Sequence, residues 1–212
     1  CDCFDYEYKC LINCNKDSFE PDTLNIDSLK GFKNHVLSLV INNKNYNYLS
    51  DHIFSGLRFK YLDLSNNKIK ILNNKTFDQV KELNNLRLHH NNIKSIRFDV
   101  CSDLNMEYLD IKSNYIESIE NHVFSKLKSL KVLILEDNFI NNIEAYGLSG
   151  LDSLRELNLA KNNIKKLKPF SFKHLNKLEN LDLSDNFIEI ISVGYFSGLN
   201  SLKFLNLKNN LI

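Results

Sequence analysis

The chain has 212 residues, of which 43% are hydrophobic, enough to bury a large core in one or two domains. Its 27 basic and 26 acidic residues are interspersed and leave a formal net charge of +1, which excludes the one-sided field that draws a protein to nucleic acid or an anionic membrane. No run approaches the roughly 18 apolar residues of a membrane-spanning helix, and a start at Cys1, without an initiator methionine or an apolar leader, reads as a trimmed segment.

The first stretch, residues 1–35, opens with CDCFDYEYKCLINC and holds four of the five cysteines. A stack of repeats leaves one flank of its core open at each end, and atypical capping structure closes it. Too few residues are available here to build a core, and disulfides are the usual substitute. Four cysteines also suit tetrahedral zinc, but zinc sites favour paired C-x2–4-C knuckles, whereas C-x-C sets both side chains on one face of a strand. Residues 15–35, with Pro21 and Gly31, descend from this cap.

Residues 36–212 read as a solenoid of one degenerate, six full and one truncated repeat. In the degenerate unit Leu37, Leu39 and Asn42 fit the pattern, and an insertion near Asn45 to Tyr48 is expected because Ile53, Phe54 and Leu57 fall one residue late. Regular units begin at Phe59, Leu83, Met106, Leu130, Leu154, Leu178 and Leu202. The last stops at Ile212 in mid-pattern, so further sequence is expected beyond it. The period is clearest in one polar residue: Asn67, Asn91, Asn114, Asn138, Asn162, Asn186 and Asn210 follow one another at steps of 24, with a single step of 23.

Within a unit, alternation such as Leu62 and Leu64 marks a short strand with one buried face. Such strands stack in parallel about 4.8 Å apart, and the later Ile, Phe and Leu positions return the chain over the opposite side in turns or short helical pieces. Strands packed more closely than their returns force a curve. The unit asparagine leaves the strand flanked by core residues, so its amide is buried and needs backbone partners, which makes the seven asparagines a structural ladder. Cys101 occupies the Phe position of its unit and reads as a small buried hydrophobe, with a reactive thiol as the alternative.

The pattern LxxLxLxxNxIxxIxxxxFxxLxx resembles the leucine-rich repeat family, in its 24-residue extracellular class, over nearly all of the chain after residue 35. The resemblance implies an α/β-type solenoid: a curved horseshoe with a parallel β-sheet on the concave face and irregular or short helical returns on the convex face. The spacing C-x-C-x6-C is similar to the N-terminal cap of that class, although the usual upstream cysteine is absent and Cys14 is extra. On that likeness Cys1 is expected to pair with Cys10 and Cys3 with Cys14, among three possible connectivities. Disulfides imply an oxidising, extracellular compartment. The sequon Asn74-Lys75-Thr76 would carry a glycan on the return side, clear of the concave face.

The side chains between the strand leucines form columns across the concave face. The first runs Tyr61, Asn85, Tyr108, Val132, Glu156, Asn180 and Phe204; the second Asp63, Arg87, Asp110, Ile134, Asn158, Asp182 and Asn206; the third Ser65, His89, Lys112, Glu136, Ala160, Ser184 and Lys208. Tyr61, Asp63, Arg87, His89, Tyr108, Asp110, Val132 and Ile134 fall on four consecutive strands, roughly 15 Å across, and combine aromatic, Arg and aliphatic groups typical of protein-binding hot spots. Val132 and Ile134 have no evident structural reason to face water. The structural alternative is cross-strand support, with Asp63, Arg87 and Asp110 as an alternating-sign ladder that satisfies itself. His89 and His90 diverge at a strand end without a third ligand, so no metal site is read.

No phosphate-binding loop, GxSxG elbow or HExxH motif is present, Gly56, Gly150 and Gly198 fall at matching turn positions, and no cofactor is implied. A shallow curved sheet offers no pocket for acid–base chemistry, so the chain reads as a binder and not an enzyme. The resemblance implies receptor, adhesion or innate-immune recognition as in Toll-type receptors. A protein ligand is expected and a glycan is the alternative, with no nucleic acid partner. A self-associating matrix protein, including a homodimer, or an intracellular adaptor are the rival readings.

Overall fold

The computed structural model describes residues 2–6, 9–13, 31, 36–72, 75–77, 80, 82–96 and 105–212, with the backbone alone for 2–6 and 9–13. The expected pairings Cys1–Cys10 and Cys3–Cys14, the sequon Asn74 and the thiol of Cys101 lie outside what is described.

One ten-stranded sheet runs the length of these residues. Its strands are β1 (Asp2–Tyr6), β2 (Lys9–Asn13), β3 (Val36–Val40), β4 (Arg58–Asp63), β5 (Asn85–Arg87), β6 (Tyr108–Asp110), β8 (Val132–Ile134), β10 (Glu156–Asn158), β11 (Asn180–Asp182) and β12 (Phe204–Asn206). The first pair is antiparallel, with Cys3 opposite Ile12 and Cys10 opposite Asp5. From β2 onward every pairing is parallel, so residues 9–13 join the same sheet as the repeats. Most repeat strands are only three residues long. Parallel neighbours joined by long crossovers stay this short because each unit buries its two strand leucines and then turns away.

On the opposite side β7 (Ser118–Ile119) and β9 (Asn142–Ile143) form a separate parallel pair. The remaining returns among the described residues are turns with no α-helix, the irregular one of the two forms that the sequence allowed for this side. The reason is local. The return segments combine hydrogen bonds between successive units, such as His122 N–H to Tyr146 O at 3.0 Å, with isolated turns within a unit, such as Ser125 N–H to His122 O at 3.0 Å, and these turns do not extend into an α-helix among the described residues.

Between the two sides lies a continuous core. Leu62, Leu86, Leu109, Leu133, Leu157 and Leu181 are all fully buried from the strand side. Phe54, Phe77, Phe124 and Phe172 enter from the returns, the first two stacked at 6.0 Å and Phe172 stacked on Phe196 at 6.2 Å.

The first repeat departs from the frame read in the sequence. Leu39 pairs with Leu62, and Asn67 Nδ2 donates to Ile41 O at 2.8 Å just as Asn91 Nδ2 donates to Leu64 O at 3.0 Å. Leu39 and Ile41, not Leu37 and Leu39, are therefore this unit's strand pair, and Lys44, not Asn42, holds the ladder position. Counted from Lys44, the half-buried Tyr46 and the buried Leu49, Phe54 and Leu57 fall in register, so no insertion lies near 45–48. The irregularity is instead a bulge in β4, where the register shifts at Leu37 and Ser38.

A backbone signature repeats with the ladder. Asn43, Asn66, His90, Ser113, Asp137, Lys161, Asp185 and Asn209, each one residue before a ladder position, all have φ between 53° and 58°. This left-handed region favours short polar residues that bond locally, which suits most of that column.

Candidate functional site

The three concave columns are built by register. Tyr61, Asn85, Tyr108, Val132, Glu156, Asn180 and Phe204 are consecutive cross-strand partners, as are Asp63, Arg87, Asp110, Ile134, Asn158, Asp182 and Asn206. All eight candidate residues thus stand on β4, β5, β6 and β8 or, for His89, two residues past the end of β5.

At their centre the Arg87 guanidinium carbon sits 5.5 Å from the Tyr61 ring centre and 5.9 Å from that of Tyr108, within cation–π range of both. Burial pushes both tyrosine hydroxyls above their ordinary range, aided by Asp63 at Tyr61 and Asp110 at Tyr108 and opposed by Arg87, so both phenols stay neutral.

The alternating-sign ladder expected of Asp63, Arg87 and Asp110 does not form. Asp63 Oδ1 accepts from the Ser65 amide at 2.9 Å and its Oδ2 from the Tyr61 hydroxyl at 3.3 Å, while Asp110 Oδ1 accepts from the Lys112 amide at 3.0 Å. Both carboxylates are buried and are spent on capping the turn that leaves their own strand. Asn158, Asp182 and Asn206 cap Ala160, Ser184 and Lys208 in the same way, so this acceptor is part of the repeat. Among the described residues the Arg87 guanidinium is left without a hydrogen-bond or ion-pair partner, and its Nε is buried.

His89 Nδ1 stands 3.0 Å from Asp110 Oδ2, close enough for an ion pair but out of line for a directed hydrogen bond. Burial raises the Asp110 carboxyl, but His89, the Lys112 amide and the Arg87 charge together outweigh it and hold the group below its ordinary range. Glu136, in the next column, is likewise held low against its burial by Lys161 and Lys112, which lie 2.8 and 3.0 Å from its oxygens. Val132 and Ile134 are half-buried where the sequence suggested open exposure, because the flanking strands cover part of each. His90 meets His89 edge-on at 5.5 Å, and among the described residues no three His, Cys, Asp or Glu side chains converge as a metal site.

The asparagines line the strand exits. Asn114 is typical: Nδ2 donates to Leu88 O at 3.0 Å and Ile111 O at 3.1 Å, and Oδ1 accepts from the Ile93 amide at 3.0 Å. Asn67, Asn91, Asn138, Asn162 and Asn186 are buried with the same pattern, while Asn210 is half-buried.

A second apolar surface escaped the sequence reading. Tyr115, Phe139, Phe187 and Leu211, each one residue after a ladder asparagine, are exposed along the flank of the solenoid, with Tyr115 stacked on Phe139 at 5.7 Å. Ile71 and Tyr115 border a groove of about 560 Å³ with Lys70 and Lys94. A partial signal was present, since this non-core offset is apolar after four of the seven ladder asparagines and polar at Lys68, Asn92 and Asn163.

No helix among the described residues is long and apolar enough to cross a membrane. No curated protein matches the chain at a significant level. Among solved structures 338 chains match, so the fold is widely shared and assigns no ligand by itself. One is the crystal structure of a TLR13–ssRNA13 complex, with a TM-score of 0.77 and 27% identity across 89% of this chain. The match covers 31% of the TLR13 chain, so the sequence spans about a third of that relative's length. The leucine-rich repeat family matches residues 34–93, 105–164 and 152–212. With well over half of the sequence covered, and with strands, returns and ladder repeating as that pattern requires, the chain belongs to the leucine-rich repeat family.

Proposed function

We propose that this chain is an extracellular recognition module that binds a protein ligand through its concave face, as part of a receptor, adhesion or innate-immune ectodomain. The observation that carries the reading is the cluster on β4, β5, β6 and β8, where Arg87 stands between Tyr61 and Tyr108 beside His89, Val132 and Ile134. Tyr and Arg dominate the energetics of protein interfaces because they bring large contact area and directed donors at little entropic cost. The family match and the likeness to TLR13 support a binding role, and the four cysteines in residues 1–14 support an oxidising location.

The TLR13 structure holds single-stranded RNA. For this chain the even charge balance, and the acids Glu136, Glu156 and Asp182 among the concave columns, argue for a protein ligand instead.

The test is a binding screen of the chain against an arrayed panel of purified secreted and cell-surface proteins, repeated with the double variant Tyr108→Ala, Ile134→Ser. A partner that binds the parent and is lost on the variant, with unchanged urea unfolding, supports the reading. Partners bound equally by both move the site to the flank of Ile71, Tyr115 and Phe139 or to the returns. Concentration-dependent self-association in sedimentation, without such a partner, favours a matrix role.

A further inference from the structure

Two concave groups among the described residues have a buried nitrogen without a hydrogen bond, His89 and Arg87; His89 has Asp110 at 3.0 Å, and Arg87 has no such counter-charge in contact. Its guanidinium lies between two tyrosine rings, and its neighbours in the column, Asp63 and Asp110, have turned their carboxylates to the Ser65 and Lys112 amides. Lys112, the other cation of this region, is already held by Glu136 at 3.0 Å. Arg87 has neither an ion pair nor a hydrogen bond among the described residues, and its Nε is buried without an acceptor. A buried donor left open works against folding and is uncommon in native proteins.

Resting on the concave-face reading, we propose that Arg87 is the anchor for a single carboxylate of the protein ligand, the side chain of an Asp or Glu. The planar guanidinium presents parallel N–H donors that match a carboxylate in a two-point hydrogen bond. The flanking rings already restrict the side chain, so little rotamer freedom remains to be lost on binding. Tyr61 and Tyr108 stay neutral, and their faces wall the site against water, which strengthens the charged contact. The surroundings select one anionic group and not a string of them. Asp63 and Asp110 lie on either side of Arg87 in its column, and Glu136 and Glu156 follow on the next strands. A phosphodiester backbone would meet those carboxylates as soon as it extended beyond Arg87.

The experiment uses random dodecapeptides displayed on phage and selected on the intact chain, keeping clones whose binding is lost on Tyr108→Ala, Ile134→Ser. These clones should share an acidic position. Its exchange for the matching amide should weaken binding to the parent by about tenfold to a hundredfold, as expected for loss of a charge-assisted hydrogen bond. On Arg87→Gln the same exchange should have no effect, and Arg87→Lys, which keeps the charge without the planar fork, should restore only part of it. Urea midpoints of the variants report folding separately, and the coupling is read as a ratio that a uniform loss of affinity does not alter. Concave-dependent clones without a shared acid, or an acid whose exchange costs as much on Arg87→Gln, overturn the Arg87 assignment and leave the concave reading intact. Clones insensitive to the double variant overturn the concave reading itself. Saturable binding of oligouridylate that Arg87→Gln abolishes assigns the guanidinium to phosphate and also overturns the proposal.

Discussion

Replacing Asn114 by alanine removes one rung of the asparagine ladder, and the structure fixes which groups suffer. The carbonyls of Leu88 and Ile111 each keep a second amide donor, from Asn91 at 2.9 Å and Asn138 at 3.1 Å. The Ile93 N–H has no such reserve, since Asn114 Oδ1 is its acceptor at 3.0 Å and Ile93 is fully buried. Lys112 O, the third acceptor of Asn114 Nδ2 at 3.1 Å, keeps the His90 amide at 3.0 Å, so the loss is one orphaned buried donor plus three weakened acceptors, about 1–3 kcal/mol. With a urea m-value of about 2 kcal/mol/M, that loss lowers the midpoint by about 0.5–1.5 M. Amide exchange offers a second reading, because the Ile93 proton should exchange faster than those of Leu86 and Leu133 on neighbouring strands. Asn210→Ala, at a half-buried rung, should move the midpoint less. An unchanged midpoint together with unchanged exchange at Ile93 would refute the claim that the ladder stabilises the stack.

Gly150→Ala should destabilise far more than Gly56→Ala: both glycines have positive φ, but a Cβ at 150 would lie 2.5 Å from Ser125 Cα, whereas at 56 nothing stands within 4 Å. Urea midpoints should differ in that order, and equal midpoints would contradict the unit-to-unit contact. Phe124→Ala should cost about 3–5 kcal/mol, the range for truncating a fully buried aromatic, and a loss under about 1 kcal/mol would show that the returns collapse into the space. Asp110 is held below its ordinary range, so the unfolded chain binds more protons than the folded one and stability rises with pH there. The contribution is present above the unfolded carboxylate range and fades as pH falls from about 4 downward. Asp110→Asn should flatten that acid slope in urea midpoints measured across pH, and an unaltered slope would show that the carboxyl is not linked to folding.

The regular units were legible because one offset does one job in each of them. The strand leucines give the core, and the residues between them give columns that match the observed register from Tyr61 to Phe204. The first unit was misread because Lys44 stands where the others have asparagine and Asn42, two residues earlier, imitates it. Its Phe54 and Leu57 were in frame all along.

Side-chain choices at the site were less legible. Nothing in the alternation of Asp63, Arg87 and Asp110 shows that each carboxylate prefers the amide two residues on to the neighbouring guanidinium. That preference follows from the turn, where the acceptor reaches the Ser65 and Lys112 amides without leaving its own strand. The half-burial of Val132 and Ile134 depends on neighbours in other strands. The flank column of Tyr115, Phe139, Phe187 and Leu211 is only partly legible in the period, because the same offset holds Lys68, Asn92 and Asn163 in the other units and lies outside the strand.

The concave location of the site can be tested by photo-crosslinking. Benzoylphenylalanine is placed at Ile134 in one version of the chain and at Lys126, an exposed return position, in another, each with a bound partner from the protein panel. The account predicts a covalent adduct from position 134 and none from 126. An adduct from 126 alone would place recognition on the returns and contradict the concave reading.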